Sequence, residues 1–227
     1  MSCIVCSVPT TSQCSKCHMV RYCGKKHQAD DFPRHQELCK EYVAAVKRMK
    51  KEEAKLRRGI DDWGNPFEEE VGNFWGIFET RDYMRSVYAV IERLNRFMTT
   101  DATTAALDHC MECLRLCRGD NMGIREIVPS FLIRLKKDQE CYDFLKWWST
   151  VDDNYDWGDM DLPYLDLKNE NRYEPLLKSY TSKYESINFY SAMILIKYRL
   201  LHTIWQNVNG YTAFLMGKSL SKYIYIS

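Results

Sequence analysis

The first 39 residues contain a dense cluster of potential metal ligands. Six of the ten cysteines lie in this segment, together with His27 and His35. They form four pairs with two or three residues between the members, and such spacings let two side chains hold one tetrahedral ion. Four pairs therefore predict two metal sites. The pairs are Cys3 and Cys6, Cys14 and Cys17, Cys23 and His27, and His35 and Cys39.

Zinc is the ion that these donors fit best, because thiolate and imidazole groups bind it in closed tetrahedral sites of structural type. A segment this short, with few large apolar residues, cannot fold by burial alone. The metal must supply the missing stability, roughly 10 to 16 kcal/mol per site. All eight donors would be used, which leaves no open coordination position. We therefore predict two Zn²⁺ ions as cofactors and no catalytic residue.

The spacing within each pair also predicts its local structure. The two Cys-x2-Cys pairs are typical of tight turns whose backbone amides point at sulfur. Each of the other two pairs has its members four residues apart, which predicts ligands on one face of a short helix. Asp31 and Pro33 favour a new helix for the last pair, with Asp31 as its cap and Pro33 in its first turn.

The donors alone leave two ways of sharing the pairs between the ions. Sequential pairing gives one site two excess negative charges and leaves the other neutral. Crossed pairing gives both sites three thiolates and one excess negative charge, which charge balance slightly favours. The crossed sets are Cys3, Cys6, Cys23 and His27 for the first ion, and Cys14, Cys17, His35 and Cys39 for the second.

The sequence RYCG at residues 21–24, then HQADDFPRH at 27–35 and a final Cys39, resembles a MYND-type zinc finger. The resemblance covers residues 3–39 and implies crossed pairing of the two ions. Two positions depart from the usual pattern of the family. His27 stands where cysteine is usual, and Phe32 stands where tryptophan is usual.

The resemblance also implies a function, which is the docking of short proline-rich peptides from other proteins. By position, Ser15, Gln28 and Phe32 match the residues that line the peptide groove of such fingers. A hydroxyl and an amide beside an aromatic face suit an extended peptide and a proline ring. The alternative is a finger that only caps the rest of the fold.

The remainder of the chain has helical periodicity. A polar helix is predicted over 41–58, and a glycine-containing boundary follows over 59–76. Further helices are predicted over 81–98, 103–117, 123–135 and 139–148. Residues 114–125 and 138–142 are similar to tetratricopeptide-like repeats that follow MYND fingers in some eukaryotic proteins. This likeness implies a concave surface for a protein partner.

The predicted fold class is therefore mostly α: a small cross-braced two-zinc finger followed by an α-helical repeat-like domain of the α-solenoid type. Its predicted domains are the finger over 1–40, a basic helix and linker over 41–76, and the helical domain over 77–227. An acidic loop is expected near 152–170, and it lacks the glycine and glutamate that a calcium loop needs.

Two further features downstream favour core packing. Cys110, Cys113 and Cys117 share one helical face without an evident fourth metal ligand, so we expect buried apolar thiols. The apolar stretch over 187–205 contains Lys197 and Arg199, which predicts a buried helix rather than a membrane span.

Composition narrows the function further. A formal net charge of +1 creates no overall attraction to nucleic acid or to anionic lipid. Nothing like a signal peptide precedes Cys3, so we expect reduced thiols and an intracellular place, nuclear or cytoplasmic. The sequence predicts a zinc-binding adaptor for other proteins, without a small-molecule substrate and not an enzyme. The alternative is a fragment of a SET-class lysine methyltransferase, but no sequence like Asn-His-x-Cys-x-Pro-Asn is present.

Overall fold

The computed structural model describes residues 1–59, 64–176 and 186–215, with side chains as far as residue 211. Within these ranges the chain is mostly helical, which confirms the predicted class, and it has isolated β-bridges but no strand. No described helix is long and apolar enough to cross a membrane. The helices are α1 (Lys25–Leu56), α2 (Pro66–Glu69), α3 (Arg81–Phe97), α4 (Thr100–Leu116), α5 (Val128–Arg134), α6 (Asp138–Thr150) and α7 (Ile187–Leu215).

The chain divides into two compact units. The first comprises Met1–Lys136 and Asp152–Tyr164, and it contains the metal-ligand segment and helices α1 to α5. The second comprises Lys137–Val151 and Leu165–Ser227, and it contains α6 and α7. The domain boundaries expected at residues 40 and 76 remain predictions, and so does the solenoid arrangement.

Helix α1 is one continuous helix of 32 residues. The expectation of two short helices, the second beginning at Asp31 and Pro33, is wrong. Asp31, His35 and Cys39 follow one another at intervals of four residues and are all buried, so a continuous helix buries them on one face. This burial outweighs the one backbone hydrogen bond that Pro33 removes. The polar helix predicted over 41–58 is the second half of α1.

In the first unit, α1 packs against α3, α3 against α4, and α4 against α5. Met84, Val87, Ile91 and Leu94 are buried on one face of α3, but Met98, the last residue of the helix predicted over 81–98, is 70% exposed. Met98 has a φ of 57°, a left-handed conformation that ends α3 at Phe97. The inward face of α4, together with the residue that follows the helix, is buried throughout. Its members are Leu107, Cys110, Leu114 and Cys117.

Two helices begin at places that the sequence did not indicate. Helix α4 begins three residues before its predicted start, because the Thr99 side chain accepts a hydrogen bond from the Ala102 amide at 3.2 Å. The helix predicted over 123–135 is instead a 3₁₀ turn, Ile124–Glu126, followed by α5. Pro129 lies in the first turn of α5, where a proline removes no hydrogen bond of the helix.

The acidic loop is fastened to the first unit by Arg118. The Arg118 guanidinium is buried and donates hydrogen bonds to the carbonyl oxygens of Asp159, Met160 and Leu162. Gly72 lies beside this contact with a φ of 96°, where its amide bonds to the Leu116 carbonyl and its own carbonyl accepts from the Arg118 amide. A side chain at Gly72 would be strained by this backbone conformation.

The second unit is built on contacts between α6 and α7. Phe144 of α6 and Phe189 of α7 have ring centroids 6.4 Å apart. Lys146 forms ion pairs with Glu170 at 2.7 Å and Glu174 at 2.8 Å, which fastens the segment after α6 to that helix. The expectation that α7 is a buried helix is wrong for one of its faces, since Ile194 is 65% exposed. Hydrophobicity alone does not tell which side of an apolar helix has a neighbour.

Candidate metal centre

The two Cys-x2-Cys pairs form matching turns. In the first, the Ser7 amide donates to the Cys3 carbonyl at 2.9 Å, and in the second the His18 amide donates to the Cys14 carbonyl at 2.9 Å. Ser7 and His18 both have a φ of 59°, so the chain reverses in the same way after each pair. The turns predicted from spacing are therefore present twice with the same hydrogen bond. His18 is exposed and belongs to neither ligand set.

Backbone amides of these turns point at sulfur. Burial opposes ionisation of Cys3 and Cys14, but hydrogen bonds to the thiolates lower the pKa of each to about 6. At Cys3 the donors are the backbone amides of Cys23, Cys6 and Val5. At Cys14 they are the Cys17 amide, the His35 side chain and the Lys16 amide. At Cys17 the balance is reversed. Burial raises the pKa of this thiol, and the neighbouring thiolates of Cys14 and Cys39 raise it further, to about 12. A divalent cation removes this mutual repulsion and keeps all the sulfurs ionised.

The first ligand set consists of Cys3, Cys6, Cys23 and His27, whose donor atoms all lie within 4.8 Å of one another. The Sγ atoms of Cys6 and Cys23 are 3.6 Å apart. Nδ1 of His27 lies 3.1 Å from Cys23 Sγ and 3.6 Å from Cys3 Sγ. His27 thus presents Nδ1 to the set from the first turn of α1.

The second ligand set consists of Cys14, Cys17, His35 and Cys39, with donor atoms again within 4.8 Å of one another. All four residues are buried. Nε2 of His35 lies 3.6 Å from Cys17 Sγ, so this histidine presents the other ring nitrogen from that used by His27. His35 and Cys39 stand one turn apart on α1, as their spacing predicted.

Three of the four donor distances, all 3.6 Å, fit zinc, and the fourth, 3.1 Å between His27 Nδ1 and Cys23 Sγ, is shorter than the spacing around a zinc ion. A tetrahedral ion with Zn–S bonds of about 2.3 Å and Zn–N bonds of about 2.0 Å holds its donors roughly 3.5 to 3.8 Å apart. The structure brings the Cys3 and Cys6 pair together with the Cys23 and His27 pair. It brings the other two pairs together in the second set, which is the crossed arrangement. Across the described residues, no third group of His, Cys, Asp or Glu side chains converges in this way. Cys113, which burial gives a pKa of about 12, stays a core thiol.

Tyr22 and Asp31 form a buried hydrogen bond beside the metal ligands. The sequence analysis did not predict this contact. The Tyr22 hydroxyl donates to Oδ2 of buried Asp31 at 2.7 Å, and Arg34 pairs with the other carboxylate oxygen at 2.7 Å. Burial raises the pKa of Tyr22, and the Asp31 carboxylate raises it further, so the hydroxyl remains a donor. Asp31 was expected to cap a helix, but in mid-helix its side chain is free to hold Tyr22.

Helices α3 and α4 hold the metal-ligand segment at their junction. Both oxygens of Asp101 accept hydrogen bonds from the Arg21 guanidinium, at 2.6 and 2.9 Å. The Thr99 hydroxyl donates to the Met19 carbonyl at 2.6 Å. The ring of ligand His35 lies 6.0 Å from the ring of Phe97. Arg21 stands next to the Tyr-Cys of the finger motif, but nothing in the sequence indicated a partner 80 residues away.

The predicted peptide-binding residues Ser15, Gln28 and Phe32 are all exposed, and Phe32 is 55% exposed. Gln28 and Phe32 stand one turn apart on α1, while Ser15 lies in the second Cys-x2-Cys turn. Two clefts of about 320 and 240 Å³ adjoin the same segment, and both are lined by Ile4 and Met98. None of the three predicted residues lines either cleft.

The ligand geometry agrees with a comparison of sequences, in which residues 3–39 match the family described as MYND finger. Residues 3–39 are a MYND finger. No curated protein and no solved structure matches the chain. The tetratricopeptide-like repeats expected after the finger have no family match and remain a prediction.

The MYND finger explains the two ligand sets and what they can do. It binds two zinc ions, and fingers of this family are protein-interaction modules. Each set offers three thiolates and one imidazole, enough to saturate a tetrahedral ion. The chemistry at these sites is therefore structural: zinc fixes the turns and the start of α1, and the outer surface of the finger is left for contacts with other molecules.

Proposed function

We propose that this protein is a zinc-dependent adaptor whose MYND finger docks a proline-rich peptide of another protein. The observation that carries this proposal is that each ligand set supplies four protein donors. A zinc ion with four protein ligands has no open position for a substrate, so the finger can act only through contacts of its surface. On the same ground we propose that the chain is not an enzyme. The absence of a β-strand from residues 1–59, 64–176 and 186–215 also weighs against the strand-rich SET methyltransferases.

The surface of α1 near the first zinc supports peptide docking there. Phe32 exposes more than half of its side chain, and Gln28 lies one turn before it on the same helix. An exposed aromatic ring stacks on a proline ring, and a glutamine amide can donate to and accept from an extended backbone. Ser15, the third residue proposed for docking, offers an exposed hydroxyl from the turn between Cys14 and Cys17. Phenylalanine offers less area than tryptophan, so we expect weak, micromolar binding.

The helical remainder would carry the second contact of the adaptor. Two interaction surfaces on one chain allow it to bring a peptide-bearing protein and another partner together. The repeat-like arrangement predicted from the sequence would supply a concave face for that partner. A pull-down with the intact chain, followed by the same experiment with a peptide competitor, separates partners of the finger from partners of the helices.

A binding titration with labelled proline-rich peptides tests docking at the finger. We expect Phe32→Ala and Gln28→Ala to weaken binding by at least about tenfold in the zinc-loaded protein. Val43→Ala is a matched control, because Val43 is also an exposed apolar residue of α1 (40% exposed) and lies beyond the finger. Equal binding by wild type and both finger variants would remove this surface from the account.

A further inference from the structure

Helix α7 has two apolar faces. One is buried in the second unit, and its members are Phe189, Ala192, Met193 and Ile196. The other lies on the opposite side of the helix, since successive residues are rotated by about 100°. We call this exposed face the α7 stripe, and its members are Ile187, Ile194, Tyr198, Leu201 and Trp205. All five are between 61% and 74% exposed.

The α7 stripe follows a heptad pattern. Ile187, Ile194 and Leu201 are seven residues apart, and so are Tyr198 and Trp205. From Ile194 onwards the spacing alternates between four and three residues, which is the pattern that packs one helix along another in a coiled coil. At a rise of about 1.5 Å per residue, the stripe extends for roughly 27 Å.

The stripe contains no charge. The only charged residues of α7 are Lys197 and Arg199, and both are used within the second unit. Lys197 donates to the backbone carbonyls of Arg172 at 2.7 Å and Glu174 at 2.6 Å, while Arg199 pairs with Asp138 at 2.5 Å. An apolar, uncharged partner surface therefore suits the stripe best.

We propose that the α7 stripe pairs with the same stripe of a second copy of this chain. A two-fold interface brings each patch against itself, so a neutral, apolar, heptad-spaced stripe is complementary to its own copy without like-charge repulsion. If each of the five side chains buries roughly 100 Å², two copies bury about 1,000 Å² in total, and the two aromatic rings raise this figure. That area reaches the lower bound of a specific interface.

A lipid surface is a poorer occupant for this stripe. Helices that lie on membranes carry lysine and arginine on their polar face, where these residues attract anionic headgroups. On α7 the two basic side chains are engaged by Glu174, Arg172 and Asp138 of the same unit. Dimerisation through α7 does not depend on peptide docking by the finger. Failure of one proposal would therefore leave the other unaffected.

Sedimentation of the intact, zinc-loaded chain tests the inference. We expect a concentration-dependent dimer over about 1 to 100 μM, and we expect Ile194→Glu and Leu201→Glu to weaken self-association by about 100-fold or more. Asn188→Glu is the matched control, because Asn188 is exposed on α7 but lies about 100° around the helix from Ile187. The control should dimerise like the wild type.

Circular dichroism shows whether each variant keeps its helices, and two stripe variants are used so that one decides if the other misfolds. A monomeric wild type over the whole range would overturn the proposal. So would dimers of unchanged affinity in the stripe variants. If the intact chain is monomeric and removal of residues 216–227 produces a dimer, that segment covers the stripe and the proposal fails. Capture of a monomeric chain by phosphatidylcholine vesicles would also refute it.

Discussion

Removing zinc from this protein should unfold the first half of α1 while leaving its second half in place. The reason is that α1 has two different supports. His27, His35 and Cys39 tie its first 15 residues to the metal sites. Beyond them, Met49 and Leu56 are buried, and the ring of Tyr42 lies 5.6 Å from the ring of Phe97 on α3.

The magnitudes favour this division. Two closed zinc sites contribute roughly 20 to 30 kcal/mol at neutral pH, which exceeds the 5 to 15 kcal/mol of a whole typical domain. The finger therefore cannot stay folded without metal. Residues 25–39 then keep the contact of His35 with Phe97 but have no metal, and a segment of about 15 residues is marginal as a helix in water. They are about one eighth of the α-helical residues that the structure describes.

A strong chelator, with the same chelator preloaded with zinc as control, provides the assay. We expect the helical circular dichroism signal to fall by about one eighth. Hydrogen exchange followed by mass spectrometry should show rapid exchange over residues 1–39 and continued protection over 84–97. If exchange also becomes rapid in α3, the two supports of α1 are not separate. If residues 25–39 stay protected, zinc does not hold this half of the helix.

Four other substitutions, at three places in the structure, are tested through thermal or denaturant unfolding of the zinc-loaded protein. Tyr22→Phe should cost about 1 to 3 kcal/mol, because the buried Asp31 carboxylate loses a donor; an unchanged midpoint would show that the bond is unimportant. Gly72→Ala should destabilise by about 1 to 3 kcal/mol through its positive φ, and a neutral result would contradict the strain argument. Arg21→Glu and Asp101→Lys should each lower the midpoint, and the double variant should recover part of the loss if the two side chains pair.

The metal ligands were the most predictable part of the molecule. A pair such as Cys14 and Cys17 is spaced by the local geometry of one turn, so its role can be read from a few neighbouring residues. The sharing of pairs between ions depends on chain reversals over tens of residues. From the sequence alone, only charge balance and a family resemblance favoured the crossed arrangement.

The errors in the sequence interpretation share a physical cause, which is that tertiary packing overrides local signals. Pro33 was taken to mark a helix start, but burial of His35 and Cys39 keeps the helix continuous. Met98 fits the apolar periodicity of α3 and was included in the predicted helix, but α3 ends at Phe97. The exposed side of α7 is as apolar as the buried side, so its composition could not reveal which face has a neighbour.

Zinc stoichiometry by native mass spectrometry tests the crossed metal centre most directly, with double variants that separate the two pairings. The wild type should hold two ions. Cys6→Ser with Cys23→Ser damages one site in the crossed arrangement and should leave one ion, whereas Cys6→Ser with Cys14→Ser damages both sites and should leave none. A wild type with one ion, or a Cys6 and Cys14 double variant that still holds one, would contradict the account.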